Sequence, residues 1–188
     1  MIKIYLFLKN RLKKNCIIPA LLLAFASCRL AAQKSEGLGH PFDTLQYDRV
    51  VAYDFEGNGD NNIVNDGRLF HRIHKQQVLS GDQVRYVHQL LQDPKTYGNN
   101  TAACFEPHLG FVWYRQGRIV AYVSACMDCN YLESSFPIPA TSARQYEYAS
   151  KEFLPLKGFS KKGRQSLNVL LTQWDFPHVV SLNTSWDK

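Results

Sequence analysis

No stretch of the 188-residue chain is apolar for long enough to cross a bilayer as a helix. The longest apolar run, Ile17 to Ala26, is about half of the roughly 20 residues that a spanning helix needs, and Pro19 interrupts it. That argues against a permanent transmembrane anchor. Acidic residues are missing from residues 1–27 altogether, although this segment holds five of the 22 Lys and Arg. Setting it aside leaves 17 basic against 16 acidic side chains. The formal net charge of +6 is therefore almost wholly N-terminal, and no nucleic-acid partner is expected for the rest. Also lacking are a nucleophile elbow, an HExxH pair, a phosphate-binding glycine loop and a dinucleotide fingerprint, so none of those mechanisms is written in the chain. There is no internal repeat, and about 160 residues beyond the first segment suit one domain.

What the N-terminus does contain is Lys9, Arg11, Lys13 and Lys14 followed by the short apolar run, the order of a cleavable secretion signal. The run closes on Phe25-Ala26-Ser27-Cys28, which resembles the lipobox of bacterial lipoproteins, with Phe25 where Leu is usual. Residues 1–27 are read as a signal peptide and Cys28 as the acylated first residue of the mature chain. The expected location is the cell envelope, held at the outer membrane by lipid without a spanning helix. Ordinary cleavage after Ala31 or Ala32 is the alternative and would give a periplasmic or secreted protein. Residues 28–46 mix Gly, Pro and polar side chains without periodicity and read as a flexible tether, leaving 47–188 as the folded domain.

Within that domain the pattern predicts a strand over Arg49–Phe55, a polar loop over Glu56–Asn65 and a second strand over Leu69–Val78. A helix opens at Ser80, with Gln83 placed for a capping box and Val84, Val87, Leu90 and Leu91 at helical spacing, and stops at Asp93-Pro94. Phe111–Tyr114 and Arg118–Ser124 flank Gln116-Gly117 as a hairpin. A last helix runs over Lys161–Gln173, its basic start (Lys157 to Arg164) taken as solvated. The fold class is α+β: a single domain with a central antiparallel hairpin or sheet packed by two or three helices. Apolar residues on both faces of the hairpin imply that it is covered on both sides.

A two-residue turn at Gln116-Gly117 pairs residues whose numbers sum to a constant, so that Trp113 faces Val120, Phe111 faces Tyr122, Pro107 faces Cys126 and Cys104 faces Cys129. The ladder should break at Pro107, which has no N–H to donate. Cys104, His108, Cys126 and Cys129 are still brought to one edge. Cys16 leaves with the signal and Cys28 is taken by lipid, so three cysteines remain. Three readings stand side by side. In an oxidising compartment Cys104 can pair with Cys126 or Cys129 as a structural disulfide, leaving one thiol over. Three thiolates and the His108 imidazole form a tetrahedral set suited to zinc. Cys126-x-x-Cys129 can also exchange with a partner's disulfide.

The run Cys104-Phe-Glu-Pro-His108, the hairpin with Gly117 at its turn, and Val123-Ser-Ala-Cys126-Met-Asp-Cys129-Asn together resemble a pattern found in exported bacterial proteins of the Bacteroidetes lipoprotein type. The resemblance covers roughly residues 97–132 most specifically. It implies that the three cysteines form one shared feature, and it carries no activity with it; the histidine position varies in the pattern.

A second candidate is the run Asp54, Glu56, Asn58 and Asp60, oxygen donors at alternating positions with Gly59 sixth, which partly matches a calcium loop. Asn65 stands where a bidentate Glu is needed, and a strand precedes the loop, so a Gly/Asn turn is the default. His71 and His74 would point to opposite sides of a strand. No catalytic residue is assigned. The function class expected first is a non-catalytic binding or structural envelope lipoprotein, and second a thiol-redox or metal-dependent enzyme.

Overall fold

The structure, a computed structural model, describes residues 41–58, 61–141 and 157–180, all within the unit Glu36–Lys188. Cys16, Cys28 and Asp60 lie outside the described residues. In chain order come β1 (Arg49–Phe55), a small hairpin of β2 (Val64–Asn65) and β3 (Arg68–Leu69), β4 (Ile73–Val78), α1 (Gly81–Gln92), β5 (Tyr97–Asn99), β6 (Leu109–Arg115), β7 (Arg118–Cys126), β8 (Tyr131–Ser134), β9 (Gly158–Phe159) and α2 (Lys161–Gln173). Five strands form one antiparallel sheet in the order β4-β1-β6-β7-β8, and β5 pairs with β9 beside it. The domain is α+β, with two helices among the described residues.

Side-chain parity decides what each face of the sheet meets. Val50, Ala52, Leu109, Phe111 and Trp113 share one apolar cluster with Val87, Leu90 and Leu91 of α1 and Leu167, Leu170 and Leu171 of α2. Val51, Tyr53, Phe55, Val112 and Tyr114 form a second cluster under Ile63, Val64 and Phe70. The central hairpin is covered on both faces, as its composition required. Gly110 permits the second cover, because a Cβ there would lie 2.6 Å from Ile63. Both helices start on serine caps: Ser80 completes the capping box with Gln83, and Ser160 accepts from Gly163 N.

Three expectations about the strands and helices are corrected. The strand placed over Leu69–Val78 is broken, because Phe70 N bonds Ile63 O to close the β2–β3 hairpin and β4 starts only at Ile73. The hairpin register holds for Arg115↔Arg118 and Tyr114↔Ile119, then slips by one to Trp113↔Ala121 and Phe111↔Val123. Val120 is the extra residue of a β-bulge and is 42% exposed. Arg164 is buried rather than solvated, donating to Phe159 O at 2.8 Å and to Asn130 Oδ1 at 3.2 Å.

The tether also ends earlier than residue 46. Phe42, in a single 3₁₀ turn Pro41–Asp43, is 3% exposed in the main core, stacked on His88 with ring centroids 4.2 Å apart. An isolated aromatic in a polar segment finds a site here because Trp113 Nε1 already donates to His88 Nε2 at 3.0 Å, leaving the imidazole face free to stack. Burial lowers the His88 pKa to about 4. The folded state thus binds His88's proton less readily than the unfolded chain does, so this contribution to stability is full above about pH 6.5 and is lost as pH falls towards about 4. Thermal melts between pH 7 and pH 4 should show a steeper loss of Tm in the native chain than in His88→Gln, whose amide can still accept from Trp113 but does not titrate. Parallel profiles would remove His88 as the cause.

Candidate functional site

The cysteine centre is built where β7 ends. Cys126 is the last residue of β7 and pairs with Tyr131 of β8, and residues 127–130 make the turn between them. Asn130 takes a positive φ of 63° there, which asparagine tolerates better than most residues. Its buried amide fixes the turn: Nδ2 donates to Asn100 O at 2.8 Å and to Phe159 O at 3.1 Å. Ala102 N donates to Cys129 O at 2.9 Å, drawing residues 100–108 over the turn. That segment carries Cys104.

The outcome is a group of three sulfurs, all within 4.8 Å of one another. Cys129 Sγ is in bonding contact with both Cys104 Sγ and Cys126 Sγ, across Cα separations of 5.7 and 5.3 Å that both suit a disulfide. A sulfur makes one S–S bond at a time, so the two contacts are alternatives. Cys126 and Cys129 are buried against Phe105, whereas Cys104 is exposed. Cys126 Sγ accepts two backbone N–H bonds, from Cys129 at 3.2 Å and from Glu106 at 3.3 Å. Such donors favour a sulfur that carries negative charge, whether free or metal-bound. The group could hold a metal ion through three thiolates.

The fourth member expected from the spacing is not there. His108 falls outside the sulfur group; its Nδ1 lies 3.2 Å from Phe55 O and its ring stacks on His178 at 4.1 Å and 8°. Pro107 breaks the ladder as expected, with its carbonyl accepting from Gly57 N. Cys104 therefore reaches Cys129 through a loop and not as a cross-strand partner.

A second cluster had no signal of its own in the spacing. Asp54, fully buried near the end of β1, accepts at Oδ1 from His178 Nδ1 at 2.6 Å. His74 Nδ1 stands 3.7 Å from Asp54 Oδ2, and His74 Nε2 stands 3.8 Å from Glu56. His74 comes within reach because it is the unpaired residue where the β1–β4 register shifts between Lys75 and Ile73. Lys75, the ladder partner of Asp54, turns instead to Asp175 at 2.6 Å and holds that carboxyl below its usual pKa. The one clue was Asp54 itself, an acidic side chain among Val50, Val51, Ala52, Tyr53 and Phe55.

The three described members of the calcium run, Asp54, Glu56 and Asn58, each meet other groups. Asp54 and Glu56 serve imidazoles, and Asn58 accepts from Asn61 at both its backbone and side-chain oxygens, so the three described members of the run have separate partners.

No family model matches the chain, and no curated protein or solved structure shows significant similarity to it.

His178 ties the segment after α2 to the sheet through one carboxylate that is already half unpartnered, since Asp54 Oδ2 accepts no hydrogen bond. His178→Ala should cost about 1–3 kcal/mol in denaturant unfolding, the range for orphaning a buried polar group. Combined with Asp54→Asn it should cost less than the sum of the two single changes. Strict additivity would show that the pair does not act as a unit.

Proposed function

We propose that this chain is an exported bacterial lipoprotein, processed at Cys28 and anchored by lipid in the cell envelope, most naturally at the outer membrane. Its domain serves as a non-catalytic binding or structural module, and its cysteine centre is a disulfide made through Cys129. The observation that carries the disulfide reading is the bonding contact of Cys129 Sγ with two other sulfurs in a buried setting. An exported chain meets an oxidising compartment, where such pairs close. A Cys104–Cys129 bond would fasten residues 100–108 to the turn after β7, a join that no strand ladder makes.

A zinc centre is the second reading, favoured by the mutual approach of the three sulfurs and by the two N–H donors on Cys126. Since His108 is turned away, zinc would need water or a group brought in from elsewhere as its fourth ligand.

Free-thiol counting under denaturing, non-reducing conditions, together with elemental analysis, separates the two. The disulfide reading expects one titratable thiol per mature chain and no stoichiometric metal; three thiols with about one zinc per chain would replace it. Mass spectrometry of the membrane-extracted protein tests the anchor. An acylated Cys28 at the N-terminus is expected, and an unacylated chain beginning beyond residue 28 would leave export standing and remove the lipid.

A further inference from the structure

We propose that the three cysteines form a thiol–disulfide relay, with Cys104 as the contact to solvent-accessible disulfides and dithiols and Cys126–Cys129 as the buried store. The proposal rests on the disulfide reading above and gives that centre a redox activity in place of the non-catalytic role. Cys104 is exposed, while Cys126 and Cys129 are 0% and 1% exposed and out of direct reach of an outside sulfur. Cys129 stands between them, with Cα atoms at disulfide spacing from both neighbours. All three sulfurs are close enough for one to attack a bond between the other two. The backbone does not have to move for this. Ala102 N on Cys129 O and Glu106 N on Cys126 Sγ pin the chain on either side of Cys104, and Phe105 is buried against Tyr131 with ring centroids 5.1 Å apart.

Starting from three thiols, the Cys104 thiolate attacks one sulfur of an outside disulfide, forming a mixed disulfide and expelling the other sulfur as thiolate. The Cys129 thiolate then attacks Cys104 Sγ. The Cys104–Cys129 bond forms, the remaining half of the substrate leaves as thiolate, and the outside disulfide has taken up two electrons from two cysteines. In the third step the Cys126 thiolate attacks Cys129 Sγ, so that Cys126–Cys129 forms and Cys104 is expelled as thiolate at the surface. This last exchange transfers no further electrons and regenerates the exposed thiol. Run backwards, the same three steps oxidise an outside dithiol. In that direction Cys126 is the leaving group, and the N–H bonds from Cys129 and Glu106 receive its charge.

The test uses the mature full-length protein, fully reduced, exposed to oxidised glutathione, quenched with acid at intervals, alkylated and digested. Trypsin cuts after Arg115 and Arg118, which puts Cys104 on one peptide and both Cys126 and Cys129 on another. A Cys104–Cys129 bond therefore joins two peptides, whereas Cys126–Cys129 closes a loop within one. The expected order is glutathione on Cys104, then the joined peptides, then the internal loop with Cys104 free again. Cys126→Ser should stop at the joined peptides, Cys129→Ser should keep glutathione on Cys104, and Cys104→Ser should slow glutathione uptake on the order of tenfold or more through loss of access. If either of the first two variants fails to fold, the time course of the native chain still decides. Should that chain hold Cys104–Cys129 alone at every glutathione ratio, with Cys126 always alkylated, the relay is wrong and the static disulfide stands. Three unreactive sulfurs with bound zinc would overturn both.

Discussion

The sheet is organised around a size constraint across its central ladder. Trp113 and Phe111 fill the helix-side core from β6, and the residues facing them on β7 have to be small enough to leave room for α1 and α2. Ala121 faces Trp113 and Val123 faces Phe111, whereas an unbroken register would set the larger Val120 against Trp113 and the larger Tyr122 against Phe111. The bulge at Val120 resolves the conflict, and because side chains alternate, one extra residue inverts the facing of everything after it. Ser124 is turned to the far side, where its Oγ accepts from Ile63 N at 2.9 Å and fastens the cover of the second face. Cys126 is turned the same way, out of the main core and into its own small cluster with Phe105 and Cys129. The side on which the cysteine centre forms follows from that one-residue slip.

Much of the architecture was legible in the sequence because it rests on local chemistry. Ser80 and Gln83 announce the start of α1, and Gln116 and Gly117, with φ of 50° and 78°, satisfy the turn their spacing implied. What could not be read was set by partners distant along the chain. The bulge depends on side-chain volumes facing each other across strands. Phe42 looked like part of a polar tether because its pocket is made by His88 and Trp113. Within the candidate site, the three cysteines were found together by hairpin geometry even though the register was off by one, since a loop has slack that a ladder lacks. His108 was misassigned for a related reason: its sequence neighbours point to the sulfurs, but the shortest path for its ring leads to Phe55 and His178. The Asp54–His178 bond spans 124 positions and leaves no trace in any local pattern.

The two clusters are not independent in space, because one short segment serves both. Between Cys104 and β6 the chain gives its Glu106 N–H to Cys126 Sγ, takes a bond at Pro107 O from Gly57 N, and presents the His108 ring to His178. Gly57 is fitted to that arrangement, since a Cβ there would stand 2.7 Å from the Pro107 ring. The end of β1, the end of β7 and the segment after α2 thus meet around Phe105, Glu106, Pro107 and His108, and a substitution there would be felt on both sides.

Asn130 holds the cysteine turn without using the sulfurs. Its amide joins the turn to Asn100 and Phe159 and accepts from Arg164 of α2, so the backbone that carries Cys126 and Cys129 is held by neutral and charge-assisted hydrogen bonds. None of these depends on electron count. The turn is therefore held by bonds that do not involve the sulfurs, and the relay proposed above would ask side-chain rotation of it and not refolding.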